Sequence, residues 1–82
     1  MNKKEIKSKL LNAFDTVRFN RDNRTIVARR SYFYHNGQTA DNLALGILKL
    51  FPTATIVGVR DQFRQWPAES YFQINFTVEE LV

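Results

Sequence analysis

The run YFQINFTV near the end of the chain alternates without a fault, placing Phe72, Ile74, Phe76 and Val78 against Tyr71, Gln73, Asn75 and Thr77. Period-two patterning of this kind predicts a strand that packs one side and wets the other. Upstream the period changes. Ala40, Leu43, Ala44, Ile47, Leu48, Leu50 and Phe51 fill a broad arc of a helical wheel with Asn42 and Lys49 opposite, so residues 40–51 read as a helix. Thr39 supplies its cap and Pro52 its stop.

Residues 2–14 carry a narrower stripe, Ile6, Leu10, Ala13 and Phe14, with Lys4, Lys7 and Lys9 outside it. Asn2 followed three residues later by Glu5 is the spacing of a capping box, which starts a first helix there. Between the helices, DTVRFNRDNRTIVARRSYFY reads as two strands around the polar turn Asn20 to Arg24. Val17 and Phe19 share one face of the first. In the second, Ile26 and Ala28 oppose Thr25, Val27 and Arg29, a pattern that leaves open which side is buried. HNGQ is a turn, and TATIVGVR is a third β-run before the alternating one.

The order is therefore α-β-β-α-β-β in a single domain, residues 1–82. The simplest way to bury two helical stripes and one face of four strands is an α+β two-layer sandwich. A four-stranded, mostly antiparallel sheet then carries both helices on one face.

Composition narrows the chemistry more than the fold. With 44% hydrophobic residues and eleven Phe, Tyr and Trp among 82, the chain is globular rather than disordered. It has no cysteine, which excludes disulfides, thiolate metal sites and a cysteine nucleophile. The opening MNKKEIKSKLLNAF spreads lysines among its apolar residues, unlike a secretory leader, and no run approaches the roughly 20 apolar residues of a membrane span. A soluble, cytoplasmic protein is expected.

Enzymatic constellations are missing from the pattern. The glycines, at 37, 46 and 58, are isolated, whereas a phosphate-cradling loop needs several together. The one histidine, His35, sits in a turn with no acidic partner at metal-ligand spacing. The acids are scattered or, like Glu79 and Glu80, terminal. The expectation is a non-enzyme with no catalytic residue, cofactor, metal or small-molecule substrate.

What remains is binding. Twelve Lys and Arg against eight Asp and Glu give a net charge of +4, enough to favour acidic partners. The layout is uneven. Four of the five lysines lie in the first nine residues, while Arg18, Arg21, Arg24, Arg29 and Arg30 crowd the first hairpin, with Tyr32, Phe33 and Tyr34 directly behind. Guanidinium groups fork onto phosphates and aromatic rings stack on bases, so Arg18, Arg21, Arg24, Arg29, Arg30, Tyr32 and Tyr34 are candidate nucleic-acid contacts. The competing explanation is an edge hairpin that keeps arginines for solubility, with the aromatics in the core. Alternation also sends Phe33 to the face opposite Tyr32 and Tyr34. RRSYFY lacks the glycine and spacing of the RNA-recognition motif.

The stretch RDQFRQWPAES raises a second possibility, because residues 61–70 form a connection too long for a tight turn that holds Phe63, Arg64 and Trp66. Trp and Arg dominate protein-binding hot spots, although Trp66 could equally fold back as a lid over the sandwich. The leading expectation is a small module that engages nucleic acid, or a nucleic-acid-handling complex, through the arginine hairpin. The alternative is an adaptor or inhibitor, of the kind mobile elements carry as accessory proteins, docking on another protein through the aromatic loop 61–70. Oligomeric state is not legible in the sequence.

Overall fold

The computed structural model describes residues 1–31, 39–62, 70–79 and 81. Along the chain they form α1 (Lys3–Leu10), β1 (Thr16–Phe19), β2 (Ile26–Ser31), α2 (Ala40–Leu50), β3 (Thr55–Gln62) and β4 (Tyr71–Thr77). The strands make one antiparallel sheet in the order β1-β2-β4-β3. The class is α+β. Among the described residues no helix is long and apolar enough to cross a membrane.

Both helices begin where a side chain can satisfy the first free amides. The Glu5 N–H donates to Asn2 Oδ1 at 2.9 Å, and the Asn42 N–H donates to Thr39 Oγ1 at 3.2 Å. α1 is shorter than its stripe predicts. The Ala13 and Phe14 N–H groups both donate to the Leu10 carbonyl, at 2.9 Å each, and this tightened turn ends the helix while still delivering Phe14 to the core.

One core joins the elements. Ile6 and Leu10 of α1, Leu43 and Ile47 of α2, Ile26 and Ala28 of β2, and Phe72, Ile74 and Phe76 of β4 belong to a single buried cluster. The ambiguity in β2 is thereby resolved, with Ile26 and Ala28 turned to the core. Phe51 stacks on Phe76 at a centroid separation of 6.4 Å. Lysines close the edges of the core, Lys3 Nζ lying 5.3 Å from the Phe19 ring centre and Lys9 Nζ 5.9 Å from that of Phe51.

The hairpin turn between β1 and β2 is held by Asp22. Its Oδ1 accepts from the N–H groups of Arg24 and Thr25 at 2.9 Å, and its Oδ2 from the Thr25 hydroxyl at 2.7 Å. Asn23 takes a positive φ of 59°, which asparagine tolerates better than most residues. The Thr25 amide, then the Thr25 hydroxyl, then the Arg24 amide hold the Asp22 carboxyl down at about 2, below its ordinary 3.8. The folded value is below the unfolded one, so the unfolded chain takes up the proton first as pH falls. The turn's contribution is complete above the usual carboxylate range and is lost between about pH 4 and about pH 2. Wild type should melt above Asp22→Ala near neutral pH, and the gap should close by about pH 2.

β3 is an edge strand and runs further than its sequence suggests. Asp61 and Gln62, expected in the connecting loop, pair with Phe72 and Tyr71. Val57 has no register partner, because pairing steps from Ile56 opposite Phe76 to Gly58 opposite Asn75. Val57 and Val59 are 63% and 47% exposed, a combination that invites strand addition at an edge. The bulge and the adjacent charges of Arg60 and Asp61 act against it.

Candidate nucleic-acid interface

Register decides which side chains meet. On the face opposite the core, Thr16, Arg29, Gln73 and Arg60 form one row across β1, β2, β4 and β3, and Arg18, Val27, Asn75 and Gly58 form the next. Ser31, Tyr71 and Gln62 form a third. These rows carry three arginines and no carboxylate. Among the described residues, Arg18, Arg29 and Arg60 make no ion pair.

The centre of this polar face is a directed chain of hydrogen bonds. Arg29 Nε–H donates to Gln73 Oε1 at 2.7 Å, and Gln73 Nε2–H donates to Asn75 Oδ1 at 3.0 Å. Arginine can only donate, so it fixes the orientation of both amides: Gln73 must turn its oxygen to Arg29 and its nitrogen to Asn75. Among the described residues the Asn75 Nδ2–H₂ has no acceptor. Beside this chain, the Tyr71 hydroxyl donates to Gln62 Oε1 at 3.0 Å, and among the described residues the Gln62 Nε2–H₂ has no acceptor. Each of these amide oxygens accepts one internal hydrogen bond, which turns the amide N–H groups toward the remaining partners.

Arg29 is also fixed in space. Its guanidinium lies 4.3 Å from the centre of the Tyr71 ring, the diagonal neighbour across the β2–β4 pair. A stacked, hydrogen-bonded guanidinium loses less freedom on meeting a phosphate than one waving in solvent.

One hollow lies beside Arg29 and another beside Gln73. One, of about 190 Å³, is lined by Asp15, Thr16, Arg29, Ser31, Ser70 and Tyr71, and the other, of about 180 Å³, by Gly58, Val59, Arg60, Gln73 and Asn75. The carboxylate of the first is already engaged. Asp15 Oδ1 accepts from Arg30 at 3.1 Å and Asp15 Oδ2 from the Ser31 N–H at 2.6 Å.

The described candidates do not share one face. Arg18 and Arg29 lie on the polar face. Arg30 follows Arg29 directly and therefore turns the other way, opposite Phe72, where Asp15 holds it at the start of β1. Arg21 is exposed in the hairpin turn, and Arg24 lines a hollow of about 430 Å³ with Thr53, Thr55, Thr77, Val78, Glu79 and Leu81. Arg24 is five residues from Arg29, about 17 Å along an extended chain, beyond the reach of one local site. Tyr32, Tyr34, Phe63, Arg64 and Trp66, together with His35, lie outside the described residues. Among the described residues no three His, Asp or Glu side chains converge as a metal ion would require.

Four contributors were not anticipated as site residues: Arg60, Tyr71, Gln73 and Asn75. The alternation of YFQINFTV does give the last three as the wet side of a strand. Their meeting with Arg29 and Arg60 depends on β4 lying between β2 and β3, which no local pattern encodes. Compared with protein-family models, curated proteins and solved structures, the chain matches none.

Proposed function

We propose that this chain is a non-enzymatic nucleic-acid-binding module. Its two helices cover the apolar side of the sheet in a two-layer α+β sandwich, and its polar side takes the ligand. One observation carries this reading: the rows of Arg18, Arg29 and Arg60 contain no carboxylate, and the Arg29–Gln73–Asn75 chain engages each amide oxygen in an internal hydrogen bond. A surface of N–H donors whose guanidinium groups form no ion pair among the described residues is complementary to phosphate oxygens, and the Asp15 carboxylate in the adjoining hollow is held by Arg30. Tyr71 and the amides add the stacking and base-edge hydrogen bonding that nucleic acid uses beyond its charge.

The neighbouring arginines Arg29 and Arg30 provide the test, because alternation gives them opposite roles. Arg29→Ala should weaken binding of a fluorescein-labelled oligonucleotide about tenfold at low salt, the scale of a lost charge-assisted hydrogen bond. Arg30→Ala should instead cost stability by releasing Asp15, about 1 kcal/mol for this partly exposed pair, and leave the affinity of the folded protein near wild type. Equal affinity losses in the two variants would remove the polar face as the site.

A further inference from the structure

Resting on that nucleic-acid reading, we infer that the ligand is single-stranded, with one unpaired base seated in the hollow over Gly58. The width of the sheet is the first reason. A major groove about 12 Å across admits a helix or a two-stranded ribbon. Four strands at the usual spacing span about 14 Å between the outer two, before side chains are counted. A sheet presented face-on cannot enter that groove, and Tyr71, Gln73 and Asn75 are half-buried rather than protruding.

The second reason is the chemistry of the hollow. Gly58 contributes no side chain on the row where its register partner is Asn75, and an added Cβ there would meet nothing within 4 Å. The floor is therefore open beside the Asn75 amide, whose remaining N–H groups are suited to a base carbonyl or ring nitrogen. Arg60 stands on the same rim for the attached phosphate. Arg29, stacked on Tyr71, adds a guanidinium plane of the kind on which a neighbouring base can lie. Both base-sized features require bases that are splayed out. In a duplex those faces are stacked, and the edges left open lie within grooves that this sheet does not enter face-on.

The geometry predicts a variant that separates strand selectivity from charge. Gly58→Val fills the hollow, keeps every arginine, and suits a strand position where the backbone does not demand glycine. A labelled DNA strand of mixed sequence would be titrated by fluorescence anisotropy at one fixed low salt concentration, alone and annealed to its complement. Wild type should bind the single strand at least about tenfold tighter than the duplex. Gly58→Val should lose about that factor on the single strand while its weaker, charge-driven binding to the duplex stays unchanged. Gly58→Ala, the milder change, should fall between, and melting curves of both variants establish that they are folded. Duplex binding equal to or tighter than single-strand binding overturns the inference and leaves the nucleic-acid reading standing, as does a folded Gly58→Val that binds both like wild type. Failure of both forms to bind wild type at low salt overturns the nucleic-acid reading and the inference with it.

Discussion

Ile47→Asp should unfold the protein. Ile47 is 0% exposed at the middle of α2, inside the cluster that also holds Ile6, Ile74 and Phe76, and among the described residues no cation is buried that could pair with a carboxylate. The buried acid would either be forced neutral or drag water into the core, at a cost of about 4 kcal/mol or more. Domains of this size have roughly 5–15 kcal/mol in total, with small ones at the lower end, so little or no folded population should remain. Ile47→Val, which only trims a methyl, should cost about 1 kcal/mol. Asn42→Asp is the control. Asn42 is exposed in the first turn of α2, where a negative charge suits the helix dipole, so its midpoint should stay within about 0.5 kcal/mol of wild type. Urea or thermal melts of the three variants check the order, and equal midpoints for Ile47→Asp and Asn42→Asp would mean that the helical face is misassigned.

Removing the arginines of the polar face together should have the largest effect on binding. Each phosphate neutralised on a single strand contributes about −0.7 to the slope of log K against log salt, so Arg18→Gln, Arg29→Gln and Arg60→Gln combined should flatten it by about 2. Affinity at low salt should fall roughly a hundredfold or more. Folding should suffer less, since these arginines form no ion pair among the described residues and the main loss is the Arg29 contact with Gln73 and Tyr71. The matched control neutralises Lys4, Lys7 and Lys49, exposed lysines on the two helices, and lowers the net charge from +4 by the same amount. If charge alone governed binding, the two triple variants would weaken it equally. A site on the sheet predicts a small effect for the lysine variant and a large one for the arginine variant.

The sequence revealed periods and left pairings hidden. α2 was legible because its broad apolar arc, the Thr39 cap and Pro52 agree with one another, and β4 because its alternation admits one interpretation. The stripe extends the first helix past its observed end because Ala13 and Phe14 keep the helical spacing while the backbone there has already tightened into a turn. Asp61 and Gln62 have loop-like chemistry and hide the end of β3, yet Gln62 is held by its register partner Tyr71 through the side chains. Nearness along the chain does not put arginines on one face. Arg29 and Arg30 are adjacent and point apart, whereas Arg29 and Tyr71, 42 positions apart, are in contact. Such contacts are set by strand order and by the bulge at Val57, which shifts every β3 partner beyond it, and neither leaves a local signature.

The most direct test watches the polar face itself. In ¹⁵N-labelled protein titrated with an unlabelled DNA strand at low salt, the side-chain resonances of Arg29 Nε–H, Asn75 Nδ2–H₂ and Gln62 Nε2–H₂ report the donors facing the ligand. These signals should shift together and saturably, with the backbone amides of Arg60, Tyr71 and Gln73, while those of Lys4 and Lys7 on α1 stay in place. Shifts confined to α1, or a bound strand that leaves the Arg29, Asn75 and Gln62 side chains unmoved, would contradict binding on this face.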